Sequence, residues 1–445
     1  MSIPDGRIAL SPMAAHFASF IESLEPGAGK EVGLAAALVS AEVERSNVCA
    51  FIPAFAGTPV AEVLPFGGED RFPQLEEWLA ALNAANVVGG PGEFAPLILD
   101  DSGRLYLHRY YCYERAVADM LIDRAKRALP TEGKVSRLLS RYFPPVEEEP
   151  DFQRVAALSA ATRSLAVISG GPGTGKTTTV VKIIALLQEL SGDKPLAVAL
   201  CAPTGKAAAR LKEAVESARG ALHVSDEVIS RVTYEVHTIH RLLGAGSRGF
   251  RYKEGNPLPY DLIVVDESSM VDLPLMAALS AALSEETRLI LLGDRDQLSS
   301  VEAGAVLGEI SGGGLAEKFS GAFSELAGEA GMDIQGEKIF SPLADSVVIL
   351  KKSYRFNAGG GIGLLADAVR RGDAGKALQT LKSGDPELSF GASEGLEFQW
   401  ELARIAVAQG GEYLRLAAEG APPEVVLESF GKRGIVASVR RGRRV

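Results

Sequence analysis

The strongest pattern in the chain is a series of short apolar runs that alternate with helical patterns, beginning near Leu165. Continuous apolar strands joined by helices are typical of a parallel sheet covered by helices on both faces, so an α/β fold is expected. In such sheets, ligands bind at the carboxyl ends of the strands, where the polar loops begin. The predicted strands are Leu165–Ile168, Leu196–Leu200, Leu262–Val265 and Leu289–Leu292, and the predicted helices between them include Thr177–Leu190 and Lys206–Ala218.

The region before this series has a different pattern. In residues 1–110, helical patterns over Met13–Leu24 and Glu31–Glu44 mix with loops rich in Pro and Gly. Two short strands, Leu97–Asp100 and Arg104–His108, enclose a tight turn. No residues here have the spacing of a catalytic site, which favours a small α-rich docking or scaffolding domain.

Beyond the main series, a further apolar strand at Val347–Leu350 leads into a glycine-rich, largely helical region. A last candidate strand lies at Ile435–Val439. We therefore predict three domains, over residues 1–110, 111–345 and 346–445.

Composition narrows the functional class. Hydrophobic residues make up 47% of the chain and charged residues 23%, as in ordinary globular proteins. No apolar run approaches the roughly 20 residues of a membrane span, and no export signal is present, so a cytoplasmic location is expected. The three scattered cysteines exclude a four-thiolate cluster made by this chain alone. The net charge of -11 argues against a broad nucleic-acid surface but leaves room for a narrow groove that tracks one strand.

The segment Gly170–Thr177 fits the pattern G-x-x-x-x-G-K-[ST] between a predicted strand and a predicted helix, which indicates a phosphate-binding loop. Glycines allow a tight loop whose amides point at phosphates, and the helix N-terminus adds partial positive charge. Lys176 would neutralise the β- and γ-phosphates of ATP, and the Thr177 hydroxyl would bind Mg²⁺. The loop residues predicted to hold ATP are Gly170, Gly171, Pro172, Gly173, Thr174, Gly175, Lys176, Thr177 and Thr178.

Other predicted strands end in residues suited to ATP hydrolysis. Asp266 and Glu267 follow the strand Leu262–Val265. Asp266 would hold the metal, and Glu267 would polarise the attacking water. Gln297, after the next strand, can hydrogen-bond the γ-phosphate or that water. Arg355 is a candidate cation for the γ-phosphate, with a surface salt bridge as the alternative.

Two loops are suited to a polynucleotide backbone. Thr204 and Lys206 lie in a loop that follows a strand and opens a helix. The second loop, His237–Arg241, groups a hydroxyl, a guanidinium and two imidazoles, one of them that of His240. For both loops, the pattern leaves DNA contact and plain helix capping equally open. Zinc binding by the two histidines is not favoured, because no third ligand lies near them in the sequence. By its context alone, Gln153 is interpreted as an ordinary helix residue.

These segments, in this order and spacing, resemble superfamily 1 DNA helicases of the 5′-to-3′ class, and most specifically the RecD family, the alpha subunits of bacterial exodeoxyribonuclease V. The resemblance spans roughly Leu97 to Phe356. It implies a RecA-like P-loop NTPase fold, Mg-ATP, and translocation on single-stranded DNA in double-strand break repair and recombination. The segments that carry it are ISGGPGTGKTTTV, CAPTGKAAARL, HTIHRLLG, VVDESSMVDLPLM, LLGDRDQLSSVEAGAVLG and LKKSYRF.

The resemblance also implies roles and partners. It assigns Gln153 to adenine, and it assigns Thr204, Lys206 and His240 to single-stranded DNA. The N-terminal domain is expected to dock onto a partner subunit, within a heterotrimer with the beta and gamma subunits that acts at duplex DNA ends. The residues with expected catalytic roles are Lys176, Glu267, Gln297 and Arg355.

One feature departs from this family. Helicases of this class carry two more motifs in a second motor domain, one of which supplies an arginine near a Thr-Arg-Ala-Arg-like segment. Neither is found before the basic end Arg440–Val445. We therefore expect an incomplete second RecA-like domain and a chain that binds ATP but hydrolyses it slowly. A truncated subunit that docks without unwinding DNA, and a P-loop ATPase that is not a helicase, stay open as alternatives.

Overall fold

The computed structural model describes residues 12–64, 70–130, 133–145, 151–220, 233–297, 302–312, 318–337, 341–352, 354, 359–391 and 396–431. Contacts between backbone segments divide the chain into two units, Met1–Arg355 and Phe356–Val445, which are described separately. The first unit contains a helix-rich N-terminal region and the main sheet.

The N-terminal region packs its helices around a small sheet with the strand order β1-β4-β3-β2. The predicted hairpin is confirmed, because β3 and β4 pair antiparallel across the expected turn. The core includes the completely buried Trp78 and Leu38. Its elements are α1 (Pro12–Leu24), α2 (Lys30–Glu44), β1 (Cys49–Phe51), α3 (Ile52–Phe55), α4 (Val60–Val63), α5 (Leu75–Ala84), β2 (Val88–Gly89), β3 (Leu97–Leu99) and β4 (Arg104–Leu107).

The rest of the first unit is built on a six-stranded sheet. Its elements are α6 (His108–Lys126), α7 (Val135–Tyr142), α8 (Phe152–Thr162), β5 (Leu165–Gly170), α9 (Lys176–Leu190), β6 (Val198–Ala202), α10 (Gly205–Gly220), β7 (Tyr234–Thr238), α11 (Ile239–Leu242), β8 (Ala245–Gly246), β9 (Gly249–Phe250), β10 (Leu262–Val265), a 3₁₀ turn (Ser268–Met270), α12 (Leu273–Ala281), β11 (Arg288–Gly293), α13 (Val306–Ser311), β12 (Phe319–Ser320), α14 (Gly321–Glu329), β13 (Gly336–Glu337) and β14 (Val347–Leu350).

The order of the main sheet is β14-β5-β11-β10-β6-β7, and all its pairings are parallel. Successive side chains of a strand point to opposite faces, and the two faces belong to different hydrophobic clusters. Val264 lies in one cluster and Ile263 in the other, and both are completely buried. The predicted α/β fold, with helices on both faces of a parallel sheet, is therefore confirmed.

Several predicted strand bounds change. The second strand lies at Val198–Ala202, two residues later than predicted, whereas β10 and β14 match their predicted bounds. β7 was not predicted, and it includes His237, for which a loop position was expected. Val347–Leu350 had been placed at the start of a separate domain, but it pairs with β5 in the main sheet because its apolar side chains complete the same core.

In the second unit, the regular elements within the described residues are all helices. They are α15 (Gly361–Arg370), α16 (Ala374–Leu381), α17 (Leu396–Ala418) and α18 (Pro423–Gly431). The candidate strand Ile435–Val439 lies outside the described residues. Across the described parts of the chain, no helix combines the length and the apolar composition that a membrane crossing requires.

Candidate nucleotide site and neighbouring loops

The loop predicted to bind phosphate joins the end of β5 to the first residue of α9. Gly175 precedes the helix with a φ of 82°, in the left-handed region that glycine adopts without strain. A Cβ at this position would lie 2.7 Å from Gln153 Nε2, so a larger residue would displace the Gln153 side chain. Local sequence thus fixes a tight turn at the N-terminus of a fifteen-residue helix, where amide groups favour an anion.

Contacts within the loop hold its shape. The Lys176 ammonium donates to the carbonyl oxygens of Gly170 and Gly171, the latter at 3.1 Å. The Thr174 hydroxyl also donates to the Gly171 carbonyl, at 2.9 Å. Thr177 is half-buried in the first turn of α9, and Thr178 is exposed. The ammonium therefore already lies over the loop into which a phosphate would fit.

Two residues from outside the loop bind it from neighbouring elements. Gln153 Nε2 donates to the carbonyl of Thr174 at 3.1 Å. Asp151 caps the N-terminus of α8 and so places Gln153 in the first turn. The backbone amide of Tyr354, beyond the end of β14, donates to the carbonyl of Gly173 at 2.8 Å. This contact of Tyr354 was not predicted, because no pattern around Tyr354 indicates a backbone contact with Gly173, 181 residues earlier.

The two predicted acids lie at the end of β10. The Asp266 amide donates to the carbonyl of Cys201 in β6, and its Oδ1 accepts the Glu267 amide at 2.9 Å. Burial raises the pKa of Asp266 to about 6, the charge of Glu267 adds to the rise, and the nearby ammonium of Lys176 opposes it. The fold thus brings the lysine of the loop and this carboxylate into one electrostatic environment.

Gln297 follows β11, which lies between β5 and β10 in the sheet. Its amide donates to the carbonyl of Asp294 at 3.2 Å, which closes a short turn and leaves the Gln297 side chain exposed. The amide of Arg295 in this turn donates to the hydroxyl of Ser169 at 3.2 Å. The Gln297 turn is therefore attached to the strand that leads into the phosphate loop. Arg355 lies outside the described residues.

The two loops proposed for polynucleotide leave the carboxyl ends of the adjacent strands β6 and β7. The last residues of these strands, Ala202 and Thr238, are register partners, so the loops begin side by side. Both loops cap helices: Thr204 Oγ1 accepts the Ala207 amide at 3.2 Å, and Thr238 Oγ1 accepts the Arg241 amide at 3.3 Å. The capping interpretation is therefore confirmed for the hydroxyls of Thr204 and Thr238. The side chains further along the loops, such as those of Lys206 and His240, take no part in the capping.

The side chains proposed to contact DNA are exposed. Thr204, Lys206 and His240 all lie at the surface, and the His240 ring is 6.0 Å from the ring of Phe250 in the β8–β9 hairpin. His237 is a half-buried residue of β7, and its Nε2 lies 2.9 Å from a carboxylate oxygen of Glu235. The two histidines therefore have different environments.

Comparison with known proteins places the two parts of the first unit in described families. Residues 7–106 match the family described as "RecBCD enzyme subunit RecD, N-terminal domain", and residues 153–303 match the family described as "AAA domain". The RecBCD enzyme subunit RecD of Mycolicibacterium smegmatis is 37% identical over 444 residues, which cover 97% of this chain and 70% of that protein.

Two further relatives cover less. The RecBCD enzyme subunit RecD of Haemophilus influenzae is 38% identical over 71% of this chain, which spans 51% of that protein. The ATP-dependent RecD2 DNA helicase of Deinococcus radiodurans is 47% identical over 33% of this chain and 18% of its own length. This chain thus spans about half of the Haemophilus influenzae RecD subunit and 70% of the Mycolicibacterium smegmatis one. On the extent of the mycobacterial match, together with the N-terminal domain match, the chain belongs to the family of RecBCD enzyme subunit RecD.

Proposed function

We propose that this chain is the ATP-binding and strand-translocating part of a 5′-to-3′ DNA helicase subunit, in an exodeoxyribonuclease V-type complex that repairs double-strand breaks and supports recombination. The observation that carries the proposal is the order of three central strands, β5, β11 and β10, whose carboxyl ends lead into Lys176, Gln297 and Asp266. Loops suited to polynucleotide leave the same edge from the next two strands. Nucleotide and DNA would therefore bind side by side.

In this proposal the loop amides and Lys176 hold the triphosphate. Lys176 would exchange its bonds to the loop carbonyls for bonds to the β- and γ-phosphates. Gln153 would contact the adenine edge from its place beside Thr174. Glu267 would orient and polarise the attacking water, Gln297 would sense the γ-phosphate, and Arg355 would supply a further positive charge.

The side chains at this edge also fit Mg²⁺. The cation prefers hard oxygen donors, which the Thr177 hydroxyl and the Asp266 carboxylate provide. The burial that raises the pKa of Asp266 is a penalty on its charge, and a bound cation would relieve that penalty. When bound, the ion would neutralise charge on the phosphates, with Thr177 and Asp266 as its protein ligands.

Thr204, Lys206 and His240 are proposed to hold a single DNA strand. All three side chains are exposed, and the two loops that carry them begin side by side. The N-terminal region would dock onto the beta and gamma subunits of the complex. Its match to the RecD N-terminal domain supports this assignment.

The experiment compares Lys176→Ala with Lys182→Ala in the full chain. Lys182 lies on the same helix, with its ammonium 5.2 Å from the centre of the Phe143 ring. Binding of a fluorescent ATP analogue and ATP hydrolysis are measured with and without oligo-dT. We expect Lys176→Ala to lower nucleotide affinity by at least about tenfold and to abolish hydrolysis, because the charge-assisted contact of a half-buried ammonium with the phosphates is lost. The Lys182 variant should behave as the unmodified chain.

Unchanged affinity in the Lys176 variant would refute the nucleotide site. If ATP binds but oligo-dT never alters turnover, even with the partner subunits present, a P-loop ATPase other than a helicase is favoured. If the complex assembles and binds ATP but does not unwind DNA, the docking role is favoured.

A further inference from the structure

The N-terminal region contacts the part of the first unit that holds the main sheet at Gly304, seven residues after Gln297 in the sequence. The connection between α2 and β1, residues Arg45–Val48, is called here the junction turn. Its Ser46 carbonyl accepts the amide of Gly304 at 3.2 Å. Val48 belongs to the N-terminal region, yet it packs against the hydrophobic cluster on one face of the main sheet. The junction turn is thus a direct contact between the two parts of the first unit.

The junction turn is held rigidly on its own side. The Glu42 carboxylate, in a residue only 8% exposed, accepts Arg45 Nη1 at 2.6 Å and Asn47 Nδ2 at 2.7 Å. The Glu42 carbonyl also accepts the Asn47 amide at 2.9 Å. Ser46 is kept at a φ of 68°, which a serine adopts only when its surroundings enforce it. The turn therefore presents a fixed surface to Gly304.

Gly304 is enclosed on both sides. Its φ is 99°, and a Cβ there would lie 2.5 Å from Leu273 Cβ and 3.1 Å from Val48 Cγ1. The neighbouring Ala303 is buried, and its carbonyl accepts the Leu273 amide at 3.2 Å. The segment is clamped between the junction turn and the first residue of α12.

Gln297 lies between this clamp and a second anchor. On its N-terminal side, the amide of Arg295 is held by Ser169, in the strand that leads to the phosphate loop. On its C-terminal side, the chain reaches the Gly304 clamp seven residues later. Gln297 thus lies, along the sequence, between two anchored points of the chain, and the N-terminal region provides one of them.

We propose that the junction turn is a positioning element for Gln297, through which the N-terminal region sets the rate of ATP hydrolysis without changing ATP affinity. Val48 is its main positioning residue, since its side chain meets Gly304 directly. The proposal rests on the proposed role of Gln297. A partner that shifts the N-terminal region would alter turnover through this same contact.

The test uses Val48→Ala in the full chain, with Val88→Ala as the matched control and Val48→Ile as the conservative variant. Val88 is also partly buried, but it packs only within the N-terminal core. For Val48→Ala we expect kcat to fall by about fivefold with KM for ATP unchanged, because small displacements of a positioning group lower the rate. Val48→Ile should keep most of the rate, and Val88→Ala should keep all of it.

Two further measurements separate the possible failures. In a Gln297→Ala background, adding Val48→Ala should cause no further loss, because its effect passes through Gln297. Amide hydrogen exchange at residues 302–304 should be faster in Val48→Ala only, whether or not the chain hydrolyses ATP. Equal losses in both backgrounds, or unchanged exchange, would overturn the positioning role. Unchanged turnover in Gln297→Ala alone would instead overturn the proposed function of Gln297.

Discussion

The centre and the outer strand of the main sheet end in loops of opposite character. The inner strand β5 is buried along its whole length. The loop that follows it, called here the central loop, is held by bonds to its own carbonyls, to Gln153 and to Tyr354. β7 is the last strand of the order, its residues are half-buried or exposed, and His240 beyond it is exposed. One sheet edge thus carries a loop shaped by the fold and a loop open to solvent.

The difference separates two kinds of dependence on sequence. In the central loop, the groups that would bind phosphate also hold the loop together, so a substitution there changes both shape and binding. At the outer strands β6 and β7, the hydroxyls of Thr204 and Thr238 cap the helices that follow. The exposed side chains of Lys206 and His240 take no part in this capping. A substitution of an exposed side chain there should change ligand affinity alone.

The largest expected effect is at Gly175. In Gly175→Ala, the left-handed backbone costs about 1–2 kcal/mol, and the new Cβ, 2.7 Å from Gln153 Nε2, would displace a bond worth about 1 kcal/mol. We expect ATP affinity to fall by about 100-fold and the melting temperature to fall with it. Titration with a fluorescent ATP analogue and thermal unfolding would measure the two effects.

Gly328→Ala in α14 is the control, because Gly328 is exposed outside the loop, a Cβ there meets no atom within 4 Å and its φ is not positive. This variant should keep both affinity and melting temperature. If the two alanine variants behaved alike, the loop would not be shaped by the fold in the way described, and the comparison between centre and edge would lose its basis.

A smaller effect is expected at Asp266, where a substitution should raise the free energy of unfolding instead of lowering it. Its folded pKa of about 6 lies above the ordinary 3.8, so the folded chain binds the proton more tightly than the unfolded chain. Stability therefore falls as pH rises from about 4 to about 6, and the full penalty persists above that. In EDTA at pH 8, Asp266→Asn should raise the free energy of unfolding by on the order of 2 kcal/mol, since the amide oxygen can still accept the Glu267 amide.

The gain should vanish below about pH 4, where the carboxyl group is neutral in both states. Asp193→Asn, at an exposed position after α9, should change stability at neither pH. Loss of Mg²⁺-dependent nucleotide binding should accompany the gain at Asp266. Equal stability of Asp266→Asn and the unmodified chain at pH 8 would mean that the carboxylate is not penalised by burial.

The same contrast explains what the sequence could predict. The strand Leu262–Val265 was predicted residue by residue, because four adjacent apolar residues followed by two acids describe a central strand on their own. β7 was missed because Glu235 and His237 interrupt its apolar positions, as an outer strand with one solvated side permits. Periodicity identifies strands whose two faces are both buried, including the edge strand β14, and misses an edge strand such as β7 that has one solvated side.

Contacts between distant segments could not be predicted at all. The bonds from Gln153 to Thr174 and from Tyr354 to Gly173 exist because the fold brings α8 and β14 to the loop. The contact of Ser46 with Gly304 is of the same kind. The predicted domain boundary also separated Val347–Leu350 from the main sheet, with which it pairs. The sequence of an apolar strand does not indicate which strand is its neighbour.

The smallest expected effect is at Lys206, and it tests the solvent-exposed side of the comparison. If Lys206 holds a backbone phosphate, Lys206→Ala should weaken binding of oligo-dT by a few-fold and lower the slope of log affinity against log salt by about 0.7, which is the release of one counterion from a single strand. Its melting temperature should not change, because the side chain is exposed. Fluorescence anisotropy over a series of salt concentrations would measure the affinity and its slope.

Lys212→Ala supplies the control, because Lys212 lies on the same helix, carries the same charge, and pairs with Glu216 at 3.9 Å. Both variants change the net charge equally, so a general electrostatic effect would lower both slopes alike. A lower slope in the Lys206 variant alone, at an unchanged melting temperature, is the result expected of a local phosphate contact. Such a contact, in a side chain that contributes nothing to stability, is what distinguishes the outer loops from the central one.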